Sequence, residues 1–515
     1  MLFRPLSDGT DSSRARTGLL VRSDPGIADA VLPSLEGAIQ TPTWIIPTVR
    51  GTVPGIANTL LGRYCLSGDT DALQSSPQAT LEASEISKAS PLETAGLAYS
   101  SFCIGMAVLD FWNYKGTREP DGAAFFEQSP GWNARHYCNW EAFPGPLVLS
   151  IRSALSLFDF LEHHGHPVVV RDGDVVPAMQ SSARKENKAP SGLVGDTRGS
   201  RMPVTVDRIL NLQQVMQCEF YETLYEANSN LVAQSPMIPS DGRHARFVDA
   251  ISTTADAEDS QDSVGNYRYD AESRTRQWAE RMLDAARSRS LPGRVLLSML
   301  AHGSETQLAR SVAWALEQTS CYGSLIGGFN IVGLGVDGAS STDVYRLCST
   351  LGEKLRANAP HLPVFCTGGS ARVVDGSPPL VLRLIASGVD VVESRYPFIM
   401  AECGYALDLF NESCSPEEEV SAPTLYVSVR NGSWVKDARP FLLRCRSPAS
   451  ERRCRIGRKY ARAYWYHLFQ VHEMLGPILL ILHNVQQYLA FFDEIQEAIR
   501  EGSFHALCTR FQAIP

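Results

Sequence analysis

The sequence lacks the excess of basic residues that is typical of a dedicated nucleic-acid-binding module. Its 515 residues include 47 Lys and Arg against 56 Asp and Glu, which gives a net charge of −9. Contact with a nucleic acid would therefore depend on a local basic patch rather than on the chain as a whole. The length and an apolar content of 44% predict one large domain, or two to three ordinary ones, with well-formed cores.

The sequence shows no long apolar run and no internal repeat, and its first residues are not expected to form a signal peptide. Its first residues, Met1–Asp11, are too acidic and too poor in apolar side chains for a signal peptide. The longest apolar run, Leu475–Leu482, contains Pro477 and is too short to cross a bilayer. Twelve cysteines are widely spaced, unlike the dense pairs of a small secreted scaffold. We therefore expect an intracellular protein with reduced thiols.

Strand-like and helix-like segments alternate in the second half of the chain. Strands are predicted at Val295–Leu300, Gly327–Val332, Pro363–Cys366 and Val389–Val392. Helices are predicted between them at Ser304–Gln318, Asp343–Ala357 and Pro379–Ser387. This alternation predicts a parallel sheet with crossover helices, either open or closed into a barrel.

Less regular segments flank this series. A strand is predicted at Pro167–Val170, and a helix over Thr205–Ala227. Residues 236–273 hold many Asp, Ser and Thr and few apolar side chains, which predicts a poorly ordered insertion before an amphipathic helix at Arg274–Ser288. Two further helices, over about Tyr460–Leu475 and from Pro477 to about Arg500, are predicted to end the chain.

The stretch Gly388–Tyr405 holds the strongest candidate for a reactive group. An apolar helix-like segment leads to Gly388, and the short strand Val389–Val392 ends on Glu393 before a loop that contains Pro397. Reactive groups of parallel α/β folds lie where strands end and the following loops begin. Glu393 is therefore predicted to be either a working acid, base or nucleophile, or a strand-end residue held by hydrogen bonds.

Several motifs together resemble the tRNA-guanine transglycosylase family. They are Arg-Ala-Tyr-Trp-Tyr-His-Leu at 462–468, Glu-Met-Leu-Gly at 473–476, His-Asn at 483–484, Gly-Gly-Phe at 327–329 and Gly-Leu-Gly-Val at 333–336. The stretch around Glu393 is similar to the form found in accessory subunits of the eukaryotic members. The resemblance extends over about Val295–Pro515 and is patchy or absent before it.

The resemblance implies a (β/α)8 TIM barrel of the α/β class, with insertions, over residues 1–440. A basic and helical subdomain at 441–515 would complete the fold. The implied reaction exchanges guanine for queuine at wobble position 34 of tRNAs with GUN anticodons, through an aspartate nucleophile. The implied partners are a catalytic subunit, in a heterodimer, and tRNA. The expected location is the cytoplasm, with peripheral attachment to the mitochondrial outer membrane left open.

Four departures from the family pattern fall in one site. The nucleophilic aspartate becomes Glu393, and a shift of about 1 Å in an attacking atom can cost on the order of a hundredfold in rate. The family's Asp-Ser-Gly-Gly motif has only Asp-Gly-Asp at 172–174 as a counterpart. Phe-Asp-Glu becomes Leu-Tyr-Glu at 224–226, and Pro-Thr-Arg becomes Pro-Phe-Ile at 397–399.

We therefore expect a non-catalytic accessory subunit with no catalytic residue of its own. Two alternatives stay open. In the first alternative, the chain is an active transglycosylase that uses Glu393. In the second, it is a barrel scaffold that has no role in base transfer.

The zinc site of the family is predicted to be degenerate in this chain. Its Cys-x-Cys-x-x-Cys ligands fall on Arg452, Cys454 and Gly457, and its distant histidine falls on His483. Tetrahedral zinc needs four such ligands. Cys454 and His483 are the expected ligands if zinc is bound, with Cys445 as a third. The alternative is that they are ordinary buried side chains.

A basic patch lies between residues 444 and 462, where eight Lys and Arg face the single acid Glu451. In an acidic chain, such a patch is a candidate for binding the phosphates of tRNA. The residues expected to contact tRNA are Arg452, Arg453, Arg455, Arg458 and Lys459. The alternative is a solvated loop and helix start, and the aromatic residues that follow are expected to pack in the core or in an interface.

Overall fold

The computed structural model describes most of the barrel and the whole terminal helical region of the chain. It describes residues 2–8, 15–21, 39–48, 51–61, 100–108, 133–141, 143, 145–151, 168–171, 174–177, 194–195, 201–202, 206–225, 261–301, 305–332, 341–367, 376–413, 425–443 and 447–512. The motif at 333–336 and Cys445 lie outside these residues.

The described strands fall into one large sheet and three small hairpins. They are β1 (Leu2–Asp8), β2 (Arg16–Val21), β3 (Ile39–Pro47), β4 (Ser100–Ala107), β5 (Leu147–Ser150), β6 (Val168–Arg171), β7 (Asp174–Pro177), β8 (Val194–Gly195), β9 (Arg201–Met202), β10 (Phe220–Glu222), β11 (Arg294–Leu300), β12 (Ile326–Val332), β13 (Val364–Cys366), β14 (Val391–Glu393), β15 (Tyr405–Leu407) and β16 (Tyr426–Ser428).

Eight parallel strands of the large sheet close into a barrel in chain order: β3, β4, β5, β10, β11, β12, β13 and β14. The last strand returns to the first, where Val391 pairs with Thr43 and Glu393 with Ile45. The expected (β/α)8 barrel is therefore confirmed, and it is closed rather than open. The hairpin of β1 and β2 extends the sheet antiparallel to β3.

The helices cover the outside of the barrel and build its carboxyl-terminal extension. They are α1 (Asn58–Leu61), α2 (Ala134–Tyr137), α3 (Val206–Met216), α4 (Gln261–Arg289), α5 (Glu305–Tyr322), α6 (Ser341–Asn358), α7 (Pro378–Ala386), α8 (Tyr396–Glu402), α9 (Pro448–Arg453), α10 (Ile456–Lys459), α11 (Arg462–Gln470), α12 (Leu475–Glu501) and α13 (Phe504–Gln512). The prediction of an irregular insertion up to residue 273 was wrong from Gln261 onward, because α4 begins there. Residues 226–260 lie outside the described part of the chain.

Side-chain alternation along the strands separates two apolar regions. A large cluster fills the space between the strands and the helices. A smaller cluster fills the barrel interior, as is usual for this fold. Its members on the barrel strands are Ile39, Ile45, Cys103, Val148, Phe220, Leu296, Phe365 and Val391.

A buried ion pair closes the amino-terminal end of the barrel. Arg16, on β2, donates from Nε and Nη2 to the two carboxylate oxygens of Asp390, at 2.8 and 2.7 Å. The same guanidinium donates to the carbonyl oxygens of Pro360 and Leu362. Both charged side chains are buried. The bidentate geometry offsets the loss of hydration and fixes the hairpin against the base of β14.

The long helix α12 is a core helix. By length and composition it could cross a membrane, but 78% of its most apolar window is buried inside the protein. It begins at Leu475, so that Pro477 lies in its first turn, and it ends at Gly502, which has φ of +73°. The predicted terminal helices are confirmed in kind, although α11 ends at Gln470.

Candidate functional site

Glu393 ends β14 inside the barrel mouth. Its side chain is buried, and Val391, two residues earlier, belongs to the interior cluster. Because the strand alternates, Glu393 points to the barrel interior as well. The segment that follows is helix α8, and the prediction of a loop there was wrong, because Pro397 fits the first turn of a helix.

Aromatic side chains hold the backbone just after Glu393. The indole Nε1 of Trp44 donates to the carbonyl oxygen of Ser394 at 2.9 Å. The hydroxyl of Tyr488, on α12, donates to the carbonyl oxygen of Gly376 and lies 3.0 Å from Ser394 Oγ. The Trp44 and Tyr488 rings pack edge to face. Helix α12 and β3 therefore fix the segment that follows Glu393.

A polar layer caps the apolar interior at the carboxyl ends of the strands. Six strands carry a polar side chain in or directly after their carboxyl-terminal half, and on five of them it lies two residues beyond a member of the interior cluster. These residues are Ser150, Glu222, Ser298, Asn330, Thr367 and Glu393, all of them buried. Asn330 and Thr367 bond to each other at 2.9 Å. Interiors of such barrels are usually dominated by branched apolar residues, so this layer marks the mouth as a polar site.

Glu222 is a buried carboxyl group of this layer with a raised pKa. Its Oε2 accepts from the backbone N–H of Ile151 at 2.8 Å, while Oε1 has no hydrogen-bond partner among the described residues. Burial raises the pKa of Glu222 from 4.5 to about 7, and the polar groups of Thr367 and Ser150 offset only part of that rise. The group therefore changes protonation near neutral pH, as a general acid or base must.

Sequence reasoning missed Glu222 because its strand is only three residues long. The usable signal was the alternation of side chains between the two faces of the strand. Phe220 packs in the interior, so Glu222 must face inward too, where a carboxylate is unexpected. The neighbouring family position holds Tyr225, whose ring is buried and which cannot supply a carboxylate.

Of the predicted segment 172–174, only Asp174 is described, and it does not end a barrel strand. Asp174 begins β7, which pairs antiparallel with β6 in a hairpin separate from the barrel sheet. The predicted strand is therefore present, as Val168–Arg171, but it is not a barrel strand.

Cys454 and His483, the expected zinc ligands, are both buried, and Gly457 lies against the His483 ring. A Cβ atom placed on Gly457 would lie 2.8 Å from Nδ1 of His483, and that ring's Nε2 bonds to the carbonyl oxygen of Leu407 at 2.8 Å. Burial raises the pKa of the Cys454 thiol and lowers that of His483 to about 4. Within the described ranges, no three His, Cys, Asp or Glu side chains are grouped to hold a metal. Among the described residues, two donors and a glycine stand where tetrahedral zinc needs four ligands, and Cys445, the third expected ligand, lies outside them.

The basic patch is divided between internal ion pairs and exposed charge. Arg453 donates to Asp493 at 2.9 Å, and Arg458 donates to the fully buried Glu412 at 3.1 Å. Arg452 is exposed, and Arg455 and Lys459 are half-buried. Contact with tRNA stays a prediction, and these last three residues are the ones best placed for it.

Large exposed apolar side chains gather on the carboxyl-terminal region. Met474 is 75% exposed and Val471 53%, in the turn between α11 and α12, and Val435 and Tyr464 lie on adjoining segments. We call these four residues the apolar patch. Surfaces of this kind commonly mark sites of contact with another protein.

Comparison with known proteins points to one family. The model of the Queuine tRNA-ribosyltransferase family matches residues 249–514. The chain is 26% identical over 319 residues to Queuine tRNA-ribosyltransferase accessory subunit 2 of Anopheles gambiae, covering 60% of this chain and 62% of that protein. It is 26% identical over 236 residues to Queuine tRNA-ribosyltransferase of Janthinobacterium sp. (strain Marseille), covering 46% and 53%.

A third relative matches over a shorter length at a higher identity. Over 138 residues the chain is 32% identical to Queuine tRNA-ribosyltransferase accessory subunit 2 of Drosophila erecta, covering 26% of this chain and 30% of that protein. The chain thus spans less than two thirds of the length of each of these three relatives. The family model covers about half of the chain, and the closed barrel agrees with it. The chain belongs to the queuine tRNA-ribosyltransferase family.

Proposed function

We propose that this chain is a non-catalytic accessory subunit of a queuine tRNA-ribosyltransferase. In this role it would support a catalytic subunit that exchanges guanine for queuine at wobble position 34 of tRNAs with GUN anticodons. The observation that carries the proposal is the loss of the chemistry around Glu393. Where the family has its base-reading aspartate, this chain has the buried Tyr225. Where the family has a loop that carries an arginine, this chain has helix α8.

The geometry of Glu393 also argues against nucleophilic attack. An attacking carboxylate must reach a substrate atom in a near-attack arrangement. Glu393 is buried, and the segment behind it is fixed by Trp44 and Tyr488. The Glu393 side chain is longer than that of aspartate by one methylene, and the backbone that carries it is held in place. Its carboxylate therefore does not occupy the position of an aspartate carboxylate.

We propose that the apolar patch is the contact surface for the catalytic subunit. The test is co-purification of the full chain with that subunit, followed by the rate of labelled guanine incorporation into tRNA. The pair should form a complex and exceed the rate of the catalytic subunit alone. Val471→Asp with Met474→Asp should abolish both effects, since two charges would be buried in the contact.

Leu6→Asp is the matched control, because Leu6 is a 54% exposed apolar residue on the amino-terminal hairpin. It should leave association unchanged. Failure of the unaltered chain to associate with the catalytic subunit would contradict the accessory role and favour a barrel scaffold.

We also propose that Arg452, Arg455 and Lys459 contact tRNA phosphates. Charge reversal at all three should weaken binding and reduce the dependence of log K on log salt by about 2, since each lost phosphate contact removes roughly 0.7 to 0.9. Arg500→Glu, at an exposed arginine near the end of α12, is the control. An unchanged salt slope would remove the patch from the proposal.

A second candidate function is an active transglycosylase that uses Glu393. Glu222 favours it, because a buried carboxyl group with a pKa near 7 could move a proton during base exchange. Base exchange by the chain alone, lost in both Glu393→Gln and Glu222→Gln, would support this candidate.

A further inference from the structure

We infer that a buried ionic network centred on Glu412, and no metal ion, fixes the segment 447–462 against the barrel and α12. Glu412 is fully buried. Its Oε2 accepts from Ser450 Oγ at 2.6 Å and from Nη2 of Arg458 at 3.1 Å. Arg458 also donates from Nη1 to the carbonyl oxygen of Ser450, at 3.1 Å. One carboxylate therefore links two residues, Ser450 and Arg458, that flank Cys454 in the chain.

Two further contacts tie the same segment to α12. Arg453 donates to the Asp493 carboxylate at 2.9 Å, and the backbone N–H of Ile456 donates to Oε1 of Gln486 at 3.1 Å. The bond between Arg453 and Asp493 is charge-assisted, and such bonds are about twice as strong as neutral ones and set direction as well as distance. Protein groups therefore hold the segment at Arg453, at Ile456 and at Arg458, just before and within α10.

The far end of the segment is anchored in the same way. Arg462 is buried and donates to the carbonyl oxygens of Ser413 and Phe441 and, at 3.4 Å, to the Asp437 carboxylate. Ser413 directly follows Glu412 in the chain. The network therefore joins the segment 408–413 to both ends of the segment 447–462.

The space beside His483 is occupied by protein. Gly457 lies so close that even a Cβ atom would be 2.8 Å from the imidazole. The rings of Phe441 and Trp465 meet the imidazole edge to face, with centroids 5.0 and 5.8 Å away. Nε2 is already bonded to Leu407. Nδ1 has no hydrogen-bond partner among the described residues, and a metal ion there would need Gly457 to move away.

The role of Glu412 follows from its burial. A carboxylate out of water is stable only when its oxygens are bonded, so removing its charge or its partners should loosen the whole segment. A zinc site would respond to chelators instead, since the binding free energy of a structural metal contributes directly to folding. The two kinds of anchor therefore give opposite results in a single assay.

The test uses the full chain expressed in zinc-supplemented medium. Metal content is measured by mass spectrometry, and melting temperature is measured with and without EDTA and with added zinc chloride. We expect substoichiometric zinc and no shift with either addition. Glu412→Gln should lower the melting temperature by about 5 °C or more, as loss of a buried ion pair does. Ser450→Ala should lower it by a smaller amount, which keeps the test valid if the first variant fails to fold.

The matched control is Glu473→Gln, which alters an exposed acid at the start of α12 and should leave melting unchanged. One zinc ion per chain, removed by EDTA with a comparable fall in melting temperature, would overturn the inference. So would unaltered melting of both Glu412→Gln and Ser450→Ala. The inference does not depend on the proposed function, because no base exchange is measured.

Discussion

The buried acid Glu222 makes the stability of the chain depend on pH in a specific direction. In the folded protein its pKa is raised from 4.5 to about 7 by burial. The folded state therefore holds this proton more tightly than the unfolded state. The associated stability is fully present below about pH 4.5 and is lost as the pH rises toward 7.

The size of the effect follows from the pKa difference. Each pKa unit is worth about 1.4 kcal/mol, so a rise from 4.5 to about 7 corresponds to about 3 kcal/mol of lost stability above pH 7. Glu222→Gln keeps the shape and the acceptor for the N–H of Ile151 but cannot ionise. Relative to the unaltered chain, it should be about 3 kcal/mol more stable at about pH 8 than at about pH 5.

The assay is denaturant unfolding of both proteins at a series of pH values. Glu473→Gln, at an exposed carboxylate, serves as the control and should follow the unaltered chain at every pH. The free energy of unfolding is plotted against pH for each protein. If the curves for Glu222→Gln and the unaltered chain run parallel, Glu222 does not titrate as a buried group with a raised pKa, and that interpretation is refuted.

Three further substitutions test the framework around the site. Arg16→Ala leaves Asp390 buried and unpaired, so thermal unfolding should show a loss of about 3–5 kcal/mol. Tyr488→Phe removes the hydroxyl that bonds at the segment after Glu393 and should cost about 1–2 kcal/mol in the same measurement. Gly293→Ala adds a Cβ against a neighbouring carbonyl at φ of +82°, so a loss of about 2 kcal/mol or more is expected. Unaltered melting of any of these variants would contradict the contact on which it rests.

Regular periodicity made the barrel predictable from the sequence. The strands from β11 to β14 alternate with helices α5 to α7, and their apolar patterns are strong enough to identify each one. Closure was not visible in that pattern. It depends on the pairing of β14 with β3, two segments more than 300 residues apart, and only the family resemblance implied it.

Local patterns failed where tertiary packing decides. The predicted strand Pro167–Val170 is present nearly as expected, but it pairs in a hairpin outside the barrel sheet. The sequence of a short apolar strand does not specify which strand it pairs with. The polar sequence before Arg274 reads as irregular, but helix α4 continues through it to Gln261. In both cases the residues allow the observed structure without specifying it.

The candidate site was predictable in part for the same reason. Glu393 was found because it ends a strand beside a recognisable motif. Glu222 was missed because its chemistry depends on burial and on Ile151, neither of which shows in three residues of strand. The ion pairs of Arg453 and Arg458 were likewise hidden, since their acids lie 40 and 46 residues away in the chain.

Base exchange measured on the chain alone tests most directly whether the chain is non-catalytic. The full chain, free of any catalytic subunit, is incubated with tRNA and labelled guanine, and incorporated label is counted beside that of the catalytic subunit and of the reconstituted pair. If the chain is non-catalytic, it incorporates no label by itself. The catalytic subunit should then incorporate equal amounts of label when it is paired with the unaltered chain and with the Glu393→Gln variant. Incorporation by the chain alone that Glu393→Gln abolishes would contradict it.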